Sequence, residues 1–399
     1  MISRLRQRMI KIVAIVTAAL LSLSAAVNVL AQAPDTFDVR FDHVFDMGAP
    51  GSPAFLQDND GFLWIGSEGG GLFRWDGYTL RNYGSGADKL SGGSVFRIVA
   101  DQENPDILWI GTTGGLNRFD KAIESFTHYS HDPNIPDSLS DDTIQDIVQD
   151  SQDPRILWLA TTNGLNRFDK TNGTCTHYLH DPNNANTVNF PDLWRLLEDA
   201  VSPNILWIGT YGGGLDKFDK ANGTFTHYTH DPADPNSLND PDNLIDAIAQ
   251  DKDNPQFLWI GSPTTGLSKF DTRTETFTHY PVTATHGEVG LIYDDGQGRL
   301  WLGGYVTDNG LTAFNKTSRT FTNYVHDPGA PRSLINNLVV NVYRDRAGIL
   351  WIVTYAGKVD KLDPISQNFQ LYQNIPWNEN SLSDNAVTAF AEDREGMIW

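Results

Sequence analysis

Four stretches of the chain read His-Asp-Pro: His131-Asp132-Pro133, His180-Asp181-Pro182, His230-Asp231-Pro232 and His326-Asp327-Pro328. Four further histidines, His128, His177, His227 and His279, stand in a recurring Thr-His-Tyr segment. A pair such as His128 and His131 has a spacing at which imidazoles could share a metal. No third ligand type recurs beside these pairs, and each pair falls in its own stretch of chain. Turn chemistry therefore accounts for them better, with Asp and Pro shaping a loop, and no metal or cofactor is expected. Asp58-Asn59-Asp60-Gly61 begins like a calcium loop but has no glutamate at the twelfth position, so it reads as a hairpin turn. The single cysteine, Cys175, excludes an intramolecular disulfide and a cysteine metal site. Asn172 and Asn222 lie in Asn-Gly-Thr sequons, inside tight turns.

These residues are carried by a repeat. Leu-Trp-Ile-Gly-Thr or a close variant is centred on Trp64, Trp109, Trp158, Trp207, Trp259, Trp301 and Trp351. The tryptophans are 42 to 52 residues apart, and another copy begins at Ile398-Trp399. Each unit divides into four segments. In the second unit they are Val95–Ala100, Ile107–Thr112, Leu116–Asp120 and Ser125–Tyr129. All are short, rich in β-branched and aromatic residues, and bounded by Gly, Asn, Asp or Pro, the pattern of an antiparallel meander. A period of this length built of strands predicts a β-propeller. The expected fold is all-β, a seven-bladed propeller of four-stranded antiparallel blades over residues 38–383, with residues 384–399 opening a further repeat that the chain leaves unfinished. The alternative is that the last strands close a blade with an N-terminal strand near Val39 to Val44. The Gly after Ile is expected to let the strand bend, and Gly70-Gly71, Gly114-Gly115 and Gly213-Gly214 to supply positive φ in the next turn. Cys175 takes a slot held by Phe126, Phe225, Phe277, Phe321 and Phe369 elsewhere, so it reads as a core residue.

Residues 1–33 read as a signal peptide or N-terminal membrane anchor: Arg4, Arg6, Arg8 and Lys11 precede an apolar run, and Val29-Leu30-Ala31 offers a cleavage site. Either reading puts the repeats on the periplasmic or extracellular side of the cytoplasmic membrane. The net charge of −21 argues against nucleic acid as a partner.

The motif Asp-x-x-Gly-x-Leu-Trp-Ile-Gly-Thr, then Gly-Leu-x-x-Phe-Asp, then Phe-x-x-Tyr, resembles the two-component regulator propeller repeat, most clearly at Asp58 to Asp76 and Asp345 to Asp363, with Asn380-Ser381-Leu382-Ser383-Asp384-Asn385 as linker. The resemblance implies an extracytoplasmic sensor that binds a ligand, a glycan among the family's ligands, and passes occupancy to an output such as a histidine kinase or diguanylate cyclase, with dimerisation through other parts of the protein. No residue here maps onto a kinase, receiver or nucleotide motif. The departures are a longer turn at Gly303 to Gly310 and Val353 in place of Gly.

The linkers and the turns after Leu-Trp-Ile-Gly-Thr should emerge on one face of the disc. Most of these turns offer Gly and Thr; the exceptions are Glu68, Tyr211, Tyr305, Asp308 and Tyr355, and Trp194 begins an innermost strand where other units have smaller residues. Aromatic rings among carboxylates suit sugars or peptide segments, so these six are the expected ligand-binding residues. The expected function is a ligand-sensing module with no catalytic residues. The alternatives are a secreted carbohydrate- or protein-binding propeller without signalling, or a propeller lyase or hydrolase.

Overall fold

The computed structural model describes residues 39–84, 89–281, 288–304 and 309–363, with single positions between 382 and 393. Seven four-stranded antiparallel sheets stand in a ring. Blade 1 runs from Gly51 to Asn82, blade 2 from Val95 to Tyr129, blade 3 from Ile144 to Tyr178 and blade 4 from Leu193 to Tyr228. Blade 5 runs from Ala247 to Pro281, blade 6 from Leu291 to Tyr324, and blade 7 begins at Val339. The first strands of successive blades touch all the way round, from blade 1 to blade 7 and back to blade 1. Together they line a central channel of about 550 Å³.

Ring closure differs from the first expectation: it uses the N-terminal strand of the alternative, but to complete blade 7 and not a blade begun after residue 383. The outermost strand of blade 7 is Asp42–Asp46, paired antiparallel with Lys358–Leu362. Phe369, expected in that slot, lies outside the described residues. The N-terminal strand reproduces the outer-strand chemistry of the other blades. His43 pairs with Asp360 and bonds its carboxylate at 2.7 Å, as His227 does with Asp216 at 2.6 Å. Pairing the N-terminal strand with Lys358–Leu362 covers the edge of that strand and leaves a short five-residue strand outermost.

The repeated residues assemble into one inter-blade unit. From blade 1 to blade 5 the Trp of one blade meets the third-strand Phe of the next edge to face, Phe119, Phe168, Phe218, Phe270 and Phe314 in turn, whereas blades 7 and 1 have Leu362 and Trp75 at that position. Centroid distances are 5.5 Å for Trp64 and Phe119, 5.7 Å for Trp109 and Phe168, and 5.5 Å for Trp158 and Phe218. Tyr129, Tyr178 and Tyr228 pack on the same rings. Edge-to-face contacts of this kind add to the burial of apolar area. Cys175 sits opposite Phe168 on the neighbouring strand, as Phe126 sits opposite Phe119, and burial pushes its thiol up to about 12.

The Gly of Leu-Trp-Ile-Gly has a different purpose from the one expected. A Cβ on Gly66 would stand 2.8 Å from the Val95 carbonyl oxygen of the next blade, on Gly261 2.3 Å from that of Val289, and on Gly303 2.5 Å from that of Val339. The residue is small because the next blade's first strand crosses there. In each turn pair only the second Gly has positive φ, as at Gly115 (φ 110°), where a Cβ would also lie 2.2 Å from the Tyr129 carbonyl oxygen.

Candidate functional site

The innermost strands begin with an irregularity that opens the channel on one face. In blades 2, 3, 4 and 7 the register shifts between Val95 and Arg97, Ile144 and Asp146, Leu193 and Arg195, and Val339 and Asn341. Each shift leaves one residue without an opposite number: Phe96, Gln145, Trp194 and Val340. Such a bulge re-aims the extra side chain, and Phe96, Gln145 and Trp194 line a cavity of about 300 Å³ at the channel mouth. Glu68, Arg195, Tyr211, Asp246 and Glu288 complete its polar wall.

Three of the expected residues, Glu68, Trp194 and Tyr211, therefore meet in one cavity. Trp194 and Tyr211 stack with centroids 4.4 Å apart and planes 14° from parallel. The backbone fixes Tyr211 in place. Its N–H donates to the Asp192 carbonyl at 3.0 Å, and it bridges to Leu244 on the linker into blade 5. The Phe190 ring lies beneath the following turn, 2.9 Å from where a Cβ on Gly212 would be. Tyr355 lies outside the cavity wall but hydrogen-bonds the Glu68 carboxyl, whose pKa is nevertheless raised because burial outweighs that bond. Tyr305 and Asp308 lie outside the described residues.

Sequence reasoning missed Phe96, Gln145, Arg195, Asp246 and Glu288. Phe96 and Gln145 occupy the same bulged position as Trp194, which the pairing register reveals and the sequence does not. Asp246 is 5% exposed, and one carboxylate oxygen has no hydrogen-bond partner. Burial, with Glu288 and Asp240 adding to it and Arg195 opposing, pushes its pKa up to about 6. The Arg195 guanidinium donates to the Trp194 carbonyl at 2.8 Å. Deeper in the channel Asp146 is satisfied, taking bonds from Arg97 Nε and the Leu196 N–H, both at 3.0 Å.

The histidine motifs are structural. In each His-Asp-Pro loop the His Nδ1 bonds a carbonyl eight residues on, Leu139, Val188, Leu238 or Leu334. The Asp carboxylate takes the N–H two residues later, as Asp132 does from Asn134 at 2.8 Å. Asp251, Asp253 and Asp294 come close enough to share a cation, and Lys316 already supplies one, at 3.0, 2.5 and 2.8 Å.

The model of the two component regulator propeller matches residues 50–69 and 333–356, in blades 1 and 7. No curated protein sequence matches the chain. Among solved structures it is similar to the extracellular domain of BT3049 of B. thetaiotaomicron, described as a hybrid two component system. That likeness has 24% identity and a TM-score of 0.69, covering 90% of this chain and 46% of that one. The extracellular domain of BT4673 of the same organism, described as a one component system, is 20% identical at a TM-score of 0.66, covering 90% and 51%. This chain spans about half the length of both. A chain of the mitotic checkpoint complex, 11% identical at a TM-score of 0.57, is covered over 96% of its length, so at such identities the likeness is one of fold. The described residues form a seven-bladed propeller, and two of its repeats, in blades 1 and 7, match the two component regulator propeller.

Proposed function

We propose that this chain is the extracytoplasmic ligand-sensing propeller of a two-component-type signalling protein, a binding module whose ligand sits at the mouth of the central channel. The observation that carries the reading is the meeting of Glu68, the Trp194–Tyr211 stack and Asp246 around one cavity of about 300 Å³. The corresponding turns of blades 2, 3 and 5 carry no aromatic or charged residue. A concave site with rigid aromatic walls and a few convergent polar groups is what small-ligand recognition requires. The signalling role draws support from the repeat and from the two extracellular domains of similar fold. Export draws support from residues 1–33, with their basic start and apolar run.

The test is thermal-shift screening of the chain against soluble glycans, peptides and amines, with hits repeated on Trp194→Ala and Tyr211→Ala. The expected result is a compound that raises the Tm of the native chain and leaves both variants unmoved. A compound that stabilises all three alike places its site elsewhere and refutes the reading of the mouth.

A further inference from the structure

The unpartnered oxygen of Asp246 at the mouth narrows the chemistry of the ligand, on the reading that the mouth is the ligand site. Three carboxylates, Glu68, Asp246 and Glu288, line the cavity against one cation, Arg195. Asp246 carries a buried oxygen with no partner. Nearly every buried polar atom in a folded protein is hydrogen-bonded, so an orphan on a cavity wall points to a partner that arrives with the ligand. The neighbours of Asp246 do not supply one. Arg195, on the first strand of blade 4, spends a nitrogen on the Trp194 carbonyl, while Glu288 and Asp240, from the linkers into blades 6 and 5, repel it. Burial raises the Tyr211 pKa, and the carboxylates of Asp246, Asp192, Glu288 and Asp240 add to it. The mouth carboxylates are not among those whose oxygens converge closely enough for a bare metal ion; among the described residues only Asp251, Asp253 and Asp294 do so. An organic ammonium needs no such triad, because it satisfies carboxylates singly. The stacked aromatic pair beside them offers a π face, which attracts a desolvated ammonium and holds an apolar ring equally well.

We propose that the channel mouth binds a small organic ammonium compound, its cationic nitrogen on Asp246 between Glu288 and the Trp194–Tyr211 stack. An amino sugar and a linear amine share this chemistry, and the rest of the cavity decides between them.

Calorimetric titration of the full chain with glucosamine, N-acetylglucosamine, glucose, putrescine and choline separates the sources. The expected result is that at least one ammonium compound binds roughly tenfold or more tightly than its uncharged counterpart. Glucosamine alone indicates an amino sugar and putrescine alone a linear amine, whereas choline, with no N–H to offer the Asp246 oxygen, is expected to bind more weakly than whichever of them binds. Asp246→Asn weakens that binding by roughly tenfold or more while its Tm stays at or above that of the native chain, which shows that the variant is folded. Between about pH 7 and about pH 5 the ligand keeps its charge while Asp246 gains a proton, so affinity falls in the native chain and not in the variant. The proposal is overturned if an uncharged sugar binds as tightly as every ammonium compound, if Asp246→Asn binds as the native chain does, or if no ammonium compound binds at millimolar concentration. If a neutral sugar binds and Trp194→Ala abolishes it, the mouth remains the ligand site and only the ammonium assignment falls. Binding unaffected by Trp194→Ala, Tyr211→Ala and Asp246→Asn removes both.

Discussion

At the scale of single residues, the repeat is a set of satisfied donors rather than a row of catalytic groups. The Asp that opens Asp-x-x-Gly-x-Leu-Trp was expected to do no more than shape a turn. It also accepts the indole N–H of the buried Trp, at 2.8 Å for Trp64 to Asp58, 2.7 Å for Trp109 to Asp101 and 2.9 Å for Trp207 to Asp199. The same carboxylates hold turn N–H groups, and in several blades a Lys from the next blade reaches them: Lys121 to Asp58, Lys170 to Asp101, Lys220 to Asp150 and Lys316 to Asp251. Trp301 has no partner for its indole nitrogen. At Asp101 burial pushes the pKa up, but bonds from Lys170, Trp109 and the turn N–H groups more than offset it, so the carboxyl titrates below its usual range. That stabilisation is fully present above the unfolded-state value of about 4 and is lost as pH falls through the folded value. Lys170 and Asp101 are both largely buried, and removing one partner of a buried pair is costly. Because Asp101 keeps its indole and turn bonds, Lys170→Met is expected to cost about 2–3 kcal/mol near neutral pH. Urea unfolding measures it, and the difference from the native chain should shrink below about pH 4. A cost that does not change with acid would mean that packing of the lysine stem, not its charge, is what the site uses.

At the scale of elements, the junction between blades 7 and 1 shows how the units compensate for one another. Val353 replaces the usual Gly after Ile in blade 7, and blade 1 answers with Gly51 where blades 2, 3, 4 and 7 have Val95, Ile144, Leu193 and Val339. A Cβ on Gly51 would lie 2.8 Å from Val353 Cγ1 and 2.4 Å from the Thr354 carbonyl oxygen. Gly51→Val is therefore expected to destabilise the ring by about 1–3 kcal/mol through overpacking, with Val353→Gly in the same chain restoring part of it. Equal costs in the single and double variants, read by urea unfolding, would sink this account. The strands and blade count were legible from the sequence because each Trp, Gly pair and Phe-Asp recurs in register. The bulges were not, since one extra residue in a short strand leaves no compositional trace. Phe96 was passed over for that reason, and Asp246 because it stands one residue ahead of its strand, where it reads as linker. The closing strand did carry a trace: Phe41-Asp42-His43 matches Phe225-Thr226-His227, and the two histidines hold equivalent register positions. Separation by almost the whole chain hid its partner.

At the scale of the molecule, a closed ring of rigid blades can carry an unfavourable charge at its mouth because the rest of the structure holds the site open. Asp246 should make that cost measurable. Its folded pKa is about 6, raised by burial with Glu288 and Asp240 and opposed by Arg195, against about 3.9 in an unfolded chain. Between these values the folded state binds the extra proton, so stability rises as pH falls from about 7 towards about 4, and the cost is full above the folded value. Two pKa units correspond to on the order of 3 kcal/mol at neutral pH. The net charge of −21 produces a trend of the same sign, since protonation relieves repulsion over the whole surface. Asp246→Asn separates the two. The surface term is shared by both chains and is screened by salt, whereas the buried carboxylate belongs to one and is screened little. The variant is therefore expected to be the more stable chain at about pH 7, by about 1–3 kcal/mol, with the gap closing by about pH 4 and persisting in high salt. Urea unfolding across that pH range, at low and high salt, measures it. A gap that disappears in salt would assign the effect to surface repulsion. A variant less stable than the native chain at neutral pH would mean that the Asp246 carboxylate has a partner in the protein, and the mouth would then have no charge waiting for a ligand.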